Sequence, residues 1–409
     1  MRRSLNILHT TEFYAPSLGG SQEVIRQISE RLVQRGHNVT VATTRLRERD
    51  YAELNGVVIE DFDISGNRVK GLRGEVERYL DLVKRPDIDV MLNYAAQVWP
   101  TDLILPSLND LKAKKVLVPL GLSKLYHPEY ADYYAEMRKW LKSYDAGIYL
   151  SNEYRDIEFA RSCEALNSVV IPNGASENEF GNEARIDIRQ RLGIPQDHFL
   201  ILLVGTHSGL KGHMEAIKIF SQARIGKATL LVIANDQGRG CGTKCRLLKR
   251  AFSLDPRPRL SQKNLIMTEL PREETVAAYN EADLFLFPSN IECSPLVLFE
   301  AMASGTPFLT TDVGNASEII DWSGGGVIMP TIKDGQGYSH ALINESSKLL
   351  EDLYFDTDRR SRMARSGQEA WHSKFTWDKI VKSYEDLYLA LVDGEFKGDL
   401  KEDERAMAR

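Results

Sequence analysis

Apolar positions at the start of the chain switch between strand-like and helix-like spacing. Leu5 to His9 is a short apolar run typical of a buried strand, and Ser21 to Gln34 repeats apolar residues every three or four positions, as one face of a helix does. Gly36 ends that helix, and a second strand follows over Asn38 to Thr43. Strand, helix and strand within about forty residues predict a parallel βαβ unit, the opening of a doubly wound domain.

The same alternation continues and then restarts. Further strands are predicted at Val57 to Ile59, Asp89 to Leu92, Lys115 to Val118 and Ala146 to Leu150. After a polar segment the pattern begins again, with strands at Phe199 to Val204, Ala228 to Ile233, Leu265 to Met267, Leu284 to Phe287 and Pro307 to Thr310. We therefore predict an N-terminal domain over residues 1–175, a C-terminal domain over 176–375 and a last helix, about 376–393, that packs back on the first domain.

Composition narrows the function classes. The 409 residues are 43% hydrophobic and 27% charged, as in an ordinary globular protein. A formal net charge of −6 argues against a broad basic surface for nucleic acid. The apolar run after Met1 is too short for a secretion signal, and nowhere do about 18 apolar residues run together as a transmembrane helix requires. We expect a cytoplasmic protein, with peripheral attachment to the inner face of the membrane left open.

Four scattered cysteines are too few for a disulfide framework, which favours a reducing compartment. Cys241 and Cys245 have the spacing of half a metal site, but no histidine or cysteine cluster lies near them in sequence. We interpret them as ordinary thiols and predict no metal.

Two glycine-containing loops follow predicted strands and lead into helices. The first contains Gly19 and Gly20, but it lacks the third glycine and the later acidic residue of a dinucleotide site. The second runs from Val204 to His213 and contains Gly205 and Lys211. Loops of this kind suit a diphosphate, because backbone amides, the helix dipole and a lysine ammonium all favour negative charge.

The segment from Pro288 to Pro307 carries the most specific signal. We predict that Ser294 caps a helix, that Pro295 lies in its first turn and that the helix runs to about Ala303. Glu292 then lies in the loop before the helix. Glu300 lies inside it among apolar residues, where a carboxylate needs a reason such as binding vicinal hydroxyls.

Together these loops resemble retaining glycosyltransferase family 4, the group 1 glycosyl transferases, over nearly the whole chain. The motifs that carry the resemblance are Tyr14-x-Pro16-x-x-Gly19-Gly20, Ile171-Pro172-Asn173-Gly174, Gly205 to Gly212, Ala282 to Ser289, the Glu-x7-Glu pair Glu292 and Glu300, Gly305-x-Pro307, and Asp312-Val313-Gly314 with Glu318. The resemblance implies the α/β fold called GT-B, in which two Rossmann-like doubly wound domains face each other across a cleft.

It also implies roles for individual residues. Glu300 would bind the donor ribose, Lys211 the diphosphate and Glu292 the transferred sugar, with Lys211 and Glu292 the catalytic pair. The remaining donor contacts would come from Gly19, Gly20, Gly205, Thr206, Cys293, Ser294, Pro295 and Leu296. Transfer would retain anomeric configuration and need no metal or other cofactor, because the leaving phosphate accepts the acceptor's proton.

Two positions depart from the family pattern. Thr206 stands where many members have an arginine, and the candidates to replace its charge are Arg239, Lys244 or a cation from the N-terminal domain. Leu120 stands where many members have a histidine before a glycine, and His127 is a candidate substitute. The acceptor side is therefore less constrained than the donor side.

For the acceptor, Asn93, Tyr94 and Trp99 after a predicted strand are candidate contacts. The mixed aromatic and basic stretch from Tyr133 to Lys142 is typical of a membrane-surface helix, which would suit a lipid-linked saccharide in bacterial cell-surface polysaccharide synthesis. An ordinary solvated helix is the alternative. Two other functions stay open, a GT-B binding module with weak catalysis and a nucleotide-sugar 2-epimerase, and both UDP and GDP donors are possible.

Overall fold

The computed structural model describes residues 3–165, 167–181, 186–235 and 241–398, apart from the side chains of residues 258 and 259. The chain divides into two compact units. Unit 1 contains the residues up to Asn173 and those from Trp377 onward, and unit 2 is Gly174–Thr376. In the part of the chain described here, we find no helix with both the length and the apolar character needed to cross a membrane.

Unit 1 is built on an eight-stranded sheet in the order β10-β9-β8-β7-β1-β2-β4-β3. All neighbours are parallel except the short edge strand β3, and β5 and β6 form a separate hairpin. The strands are β1 (Asn6–Thr10), β2 (Asn38–Thr44), β3 (Glu53–Leu54), β4 (Val57–Phe62), β5 (Ile64–Asn67), β6 (Gly71–Gly74), β7 (Val90–Tyr94), β8 (Lys114–Val118), β9 (Ala146–Tyr149) and β10 (Ser168–Val170). The helices are α1 (Gly20–Gln34), α2 (Val76–Val83), α3 (Trp99–Ile104), α4 (Ala131–Trp140) and α5 (Arg155–Ser162).

Unit 2 is built on a six-stranded parallel sheet in the order β13-β12-β11-β14-β15-β16, with a small hairpin of β17 and β18. The strands are β11 (Phe199–Val204), β12 (Ala228–Ile233), β13 (Lys263–Thr268), β14 (Leu284–Phe287), β15 (Phe308–Thr310), β16 (Gly326–Ile328), β17 (Thr331–Lys333) and β18 (Ser339–Ala341). The helices are α6 (Glu177–Phe180), α7 (Ile188–Leu192), α8 (His213–Gln222), α9 (Cys241–Leu254), α10 (Pro256–Leu260), α11 (Arg272–Glu281), α12 (Leu296–Ala303), α13 (Ala316–Ser323), α14 (Ile343–Phe355) and α15 (Thr357–Ala370).

The central strands β11 and β14 of unit 2 are apolar at every position because both faces of the sheet are covered. Leu200 and Leu202 of β11 belong to one apolar cluster, whereas Ile201 and Leu203 belong to another. Since successive side chains of a strand point to opposite faces, the two clusters are the cores on either side of the sheet. This is the doubly wound arrangement that the uninterrupted apolar runs predict.

The last helix, α16 (Trp377–Asp393), belongs to unit 1 and packs on α1. Tyr388 of α16 places its hydroxyl 3.2 Å from Nε2 of His9 on β1. Arg35 donates to the buried Glu385 carboxylate over 2.9 Å. These contacts attach the end of the chain to the unit formed by its beginning.

Candidate functional site

Three loops of unit 2 lie side by side because their strands are neighbours in a parallel sheet. Loops 205–212, 288–295 and 311–315 follow β11, β14 and β15, and each leads into a helix. The backbone N–H of Asn290 donates to Leu210 O over 2.8 Å, and that of Asn315 donates to Cys293 O over 3.0 Å. Carboxyl ends of parallel strands are where doubly wound sheets bind ligands, so these loops form the candidate site.

Two glycines shape the first loop. Gly212 precedes α8 in the left-handed region, with φ of +67°, and a Cβ there would meet the Pro288 carbonyl oxygen at 1.8 Å. Only glycine fits this position, where the first loop touches the second. A Cβ on Gly205 would lie 3.4 Å from Cβ of Lys211, so the lysine stem passes close to the end of β11. Thr206 is partly exposed in the same loop.

Lys211 and Glu292, which are 81 positions apart in sequence, form an ion pair. Lys211 Nζ lies 2.6 Å from Glu292 Oε1, and the Ser289 hydroxyl donates to the same oxygen over 2.7 Å. The Lys211 side chain is 30% exposed and that of Glu292 is 11% exposed. The structure thus brings together the two residues predicted as the catalytic pair, with the ammonium still accessible.

The start of α12 differs from the prediction. Pro295 precedes the helix with extended backbone, φ −71° and ψ 114°, so the first helical residue is Leu296 and Ser294 is not the cap. The helix has no side-chain cap. Its first backbone N–H groups therefore form an end of the kind that favours an anion.

The loop that ends at α12 is fixed from the side by loop 311–315. Gly314 has φ of +54°, and a Cβ there would meet Cys293 O at 2.2 Å. This close approach explains a glycine in the Asp312-Val313-Gly314 motif. It holds the backbone of Cys293, a predicted donor contact, against the neighbouring loop.

Glu300 is buried inside α12, at 7% exposure, and is paired with a cation. Arg272 at the start of α11 places Nη2 2.7 Å from Glu300 Oε1 and 2.7 Å from Oε2 of Glu179. Burial alone would lower the pKa of Arg272, but the Glu300 and Glu179 carboxylates raise it by more, so the guanidinium stays charged. Sequence reasoning missed Arg272, and its position opening a helix after Pro271 gave no signal.

The structure places two histidines that are distant in sequence next to Cys241. His207 and His213 lie with Cys241 in a buried cluster, with one ligand atom of each within 4.8 Å of the others. Nothing in the local sequence indicates this, because the fold of unit 2 brings α9 to the loop after β11. Lys244 is exposed on α9, and Arg239, the other candidate replacement for a missing arginine, lies outside the described residues.

Gly19 and Gly20 stand at the start of α1 in unit 1. Gly19 precedes the helix with extended backbone, φ 167°, and a Cβ there would meet the Gln22 side chain at 2.5 Å. The helix has no side-chain cap. A donor-binding role for these glycines stays a prediction.

Three candidate acceptor residues, Asn93 and Tyr94 at the end of β7 and Trp99 at the start of α3, are buried in unit 1. Asn93 donates to Thr10 Oγ1 over 2.8 Å and accepts from the Tyr144 hydroxyl over 3.0 Å. Trp99 donates to Thr44 Oγ1 over 2.8 Å, and Tyr94 is 1% exposed. An acceptor would reach these side chains only after rearrangement, and their role stays a prediction.

The loop after β8 has an unusual backbone. Leu120, Gly121 and Leu122 all have positive φ, at 55°, 85° and 45°. Asp156 on α5 accepts from Gly121 N over 2.9 Å and is 2% exposed, and burial raises its pKa to about 6. Strained backbone of this kind is common at functional sites. His127 lies farther along the chain, and its Nδ1 is 3.3 Å from Oε1 of Glu129.

Helix α4 buries its two tyrosines, whereas Trp140 at its end is partly exposed. Tyr133 and Tyr134 are 4% and 5% exposed and belong to the core of unit 1, whereas Arg138 and Lys139 are exposed. A membrane-surface helix needs aromatic and apolar side chains on its outer face. The interpretation of residues 133–142 as such a helix is therefore wrong for its tyrosines, and the alternative of a solvated helix face fits better.

Comparison with known proteins identifies the family of unit 2. Residues 184–369 match the family model described as glycosyl transferases group 1. The lipopolysaccharide 1,2-N-acetylglucosaminetransferase of Salmonella typhimurium is 23% identical over 246 residues, which are 59% of this chain and 61% of that protein. The chain thus spans less than two thirds of that relative's length.

Solved structures resemble the chain over nearly its whole length. Sucrose-phosphate synthase from Thermosynechococcus elongatus superposes with a TM-score of 0.76 at 18% identity, over 95% of this chain and 100% of that one. Anabaena HepE in complex with UDP and glucose superposes with a TM-score of 0.67 at 16% identity, over 94% and 100%. The chain therefore has the GT-B fold and contains a glycosyl transferases group 1 domain, as the motifs of its sequence predicted.

Proposed function

We propose that this protein is a glycosyltransferase that moves a sugar from a UDP- or GDP-sugar to a saccharide or lipid-linked saccharide, with retention of anomeric configuration and without a metal. One observation carries the proposal. Both carboxylates of the Glu-x7-Glu block are paired with cations at the carboxyl edge of a parallel sheet, Glu292 with Lys211 and Glu300 with Arg272. A nucleotide sugar needs both kinds of group, cations for its diphosphate and carboxylates for its hydroxyls.

Lys211 is the group best placed for the diphosphate. Its side chain is 30% exposed and its ammonium is within 2.6 Å of a carboxylate, so an arriving phosphate oxygen would replace one anionic partner by another. Gly205 lets the lysine stem lie close to the sheet, and the N-terminus of α12 adds backbone N–H groups. Thr206 supplies no charge in this loop, which leaves more of the work to Lys211.

In the transfer step the bond between the sugar C1 and the diphosphate oxygen breaks, and a bond from C1 to the acceptor oxygen forms on the same face. The acceptor hydroxyl proton passes to the departing phosphate oxygen. Negative charge on the nucleoside diphosphate grows as it leaves, so Lys211 interacts more strongly with the transition state than with the bound donor. Fixed donors that stabilise developing charge typically contribute about 10²–10³ in rate each.

Glu300 is the proposed ribose contact. Arg272 Nη2 lies 2.7 Å from its Oε1, and the burial of the side chain strengthens hydrogen bonds from two ribose hydroxyls. Glu292 would contact the transferred sugar, once phosphate has drawn Lys211 away. The backbone from Cys293 to Leu296 would complete that contact.

Binding of nucleotide sugars is the first test. Thermal-shift measurements with UDP- and GDP-sugars should give a rise in melting temperature for one base, since a ligand at about 100 times its Kd stabilises a protein by about 2.7 kcal/mol. UDP is the first to try, because UDP is bound in the Anabaena structure. No shift with any nucleotide sugar would contradict the proposal.

Turnover then separates the three functions. Incubation of the bound donor with saccharide acceptors, free or lipid-linked, should give a product whose anomeric configuration by NMR matches that of the donor. A changed sugar without acceptor would instead show an epimerase. Tight binding with neither transfer nor hydrolysis would show a binding module.

A further inference from the structure

A group of metal-ligating side chains lies in unit 2 beside the loop that carries Lys211. His207, His213 and Cys241 are all buried, and one ligand atom from each lies within 4.8 Å of the others. The two imidazole rings are 4.4 Å apart between centroids. Among the described residues this is the one such group of three histidine, cysteine or carboxylate side chains.

The hydrogen bond of His213 prepares its ring for a metal. Its Nε2 lies 3.0 Å from Gly205 O, and since a carbonyl only accepts, the proton is on Nε2 and the Nδ1 lone pair is available. Nδ1 is buried and has no hydrogen-bond partner among the described residues. Histidines that bind metals commonly donate their other N–H to a backbone carbonyl in this way.

A second thiol lies on the same helix face as the first. Cys241 and Cys245 are one turn apart on α9, and their Sγ atoms are 3.9 Å apart. Two thiolates bound to one tetrahedral zinc ion at about 2.3 Å are about 3.8 Å apart.

We propose that unit 2 binds a Zn²⁺ ion through His207, His213 and Cys241, with Cys245 as the fourth ligand. Two imidazoles and two thiols are a donor set that selects zinc over magnesium or calcium, which prefer oxygen ligands. Binding would release the thiol protons and draw the ligand atoms from within 4.8 Å to about 3.3–3.8 Å of each other.

The position of the site suggests what the ion would do. His207 and His213 lie on either side of Lys211, and Cys241 begins α9. A shared zinc ion would therefore tie both ends of the Lys211 loop to one helix and fix the place of the ammonium. This consequence depends on the proposed function of Lys211, whereas the metal site itself does not.

Metal content and cobalt spectroscopy test the site without any activity assay. The full chain, purified without chelator, should contain stoichiometric zinc by mass spectrometry of the metal. Replacement by Co²⁺ should give the strong visible absorption of tetrahedral cobalt and a thiolate-to-cobalt charge-transfer band in the near ultraviolet. A folded wild-type protein with no zinc and no such spectrum would overturn the proposal, as would a Cys241–Cys245 disulfide in freshly purified protein.

Matched variants assign the ligands. His213→Gln and Cys241→Ser should lose the metal and the melting-temperature rise that zinc gives the wild type. His198→Gln and Cys163→Ser, which change another buried histidine and another buried cysteine, should keep both. Equal metal loss in ligand and control variants would show adventitious zinc.

Cys245→Ser should weaken the charge-transfer band, and an unchanged band would remove Cys245 from the ligand set. If a ligand variant does not fold, the wild-type cobalt titration still decides.

Discussion

Two buried aspartates of unit 1 and the Glu-x7-Glu pair of unit 2 are satisfied in different ways. In unit 1, Asp102 accepts from Arg68 N over 2.9 Å and from the Tyr133 hydroxyl over 2.8 Å, and Asp156 accepts from two backbone N–H groups. In unit 2, Glu292 and Glu300 each lie within 2.7 Å of a basic side chain.

The difference separates carboxylates that hold loops in place from carboxylates whose cationic partner a ligand can take over. Because uncharged donors only partly replace water, burial raises the pKa values of Asp102 and Asp156 to about 6. Such groups hold loops in place. A carboxylate paired with a flexible, partly exposed lysine is different, since a ligand can take over the cation and leave the carboxylate for its own hydroxyl groups. On this view unit 2 is the part of the molecule prepared for a charged ligand.

The largest effect is expected from removing the ammonium of Lys211, the cation that a ligand can take over from Glu292. Lys211→Ala should lower kcat with the accepted nucleotide sugar by about 10²–10³, because no charge in the loop replaces the ammonium at the leaving group. Steady-state kinetics of the variant and of Lys227→Ala give the comparison. Lys227 also pairs with a carboxylate, Asp197, but precedes β12 at the other end of the strands, so its variant should keep wild-type rates. A Lys211→Ala enzyme with more than a tenth of the wild-type rate would mean that another group holds the diphosphate.

Glu300→Ala should have the next largest effect, on binding. Charge-assisted hydrogen bonds are worth about 1.5–3 kcal/mol each, so losing those to the ribose should weaken nucleotide affinity by tens-fold or more. The fold should survive, because Arg272 keeps its ion pair with Glu179. Calorimetry with ribo- and 2′-deoxyribonucleotides, with the exposed Glu345→Ala as control, checks this. Wild-type affinity and unchanged selectivity against the deoxy form would place the ribose elsewhere.

Much of this comparison could be predicted from sequence. The buried strands of unit 2 have distinctive apolar runs, and β11 and β12 begin and end where the pattern predicts. Glu292 and Glu300 were found because a carboxylate close to or inside an apolar helix is unusual. Short elements such as β3 and β16 were missed, since two or three residues carry no periodicity.

Long-range partners could not be predicted. Arg272 reaches Glu300 because α11 and α12 belong to the same folded unit, and arginine at a helix start looks like any exposed residue. His207 and His213 lie close to Cys241 only because β12 places α9 next to loop 205–212. Nothing in the sequence distinguishes Asp102 and Asp156 from exposed helix aspartates, because burial is decided by what packs on them. In each case the missing information is tertiary.

The structural carboxylates should show themselves in the pH dependence of stability. Asp156 has a folded pKa of about 6, above its unfolded value, so the native state binds more protons between those values and its contribution to stability is lost as pH rises through 6. Asp156→Asn cannot titrate. The unfolding free energy of wild type relative to this variant should fall by about 2 kcal/mol between pH 4.5 and 7.

Denaturant unfolding of both proteins at matched pH measures this difference. The titration of buried histidines such as His9 is common to both and cancels. Asp132→Asn, on the exposed face of α4, should track wild type at every pH. A difference independent of pH would show that Asp156 is ionised throughout, in which case the two units would not differ as described.

Removing divalent metals from the reaction is expected to have the smallest effect, namely none on the donor site. Sites that use Mg²⁺ or Mn²⁺ for a diphosphate hold the ion with accessible carboxylates. In unit 2 those carboxylates are already neutralised by Lys211 and Arg272, so we expect the protein's own cations to hold the diphosphate. Initial rates should be the same with EDTA, with added Mg²⁺ and with added Mn²⁺.

Zinc content must be measured in the same samples, since loss of an ion from His207, His213 and Cys241 could slow turnover by loosening the Lys211 loop. A different result would be activity that is lost on chelation while zinc is retained and that is restored by magnesium or manganese. It would mean that a metal bridges Glu292 or Glu300 to the donor. The proposal that the donor phosphate takes Lys211 over from Glu292 would then be wrong.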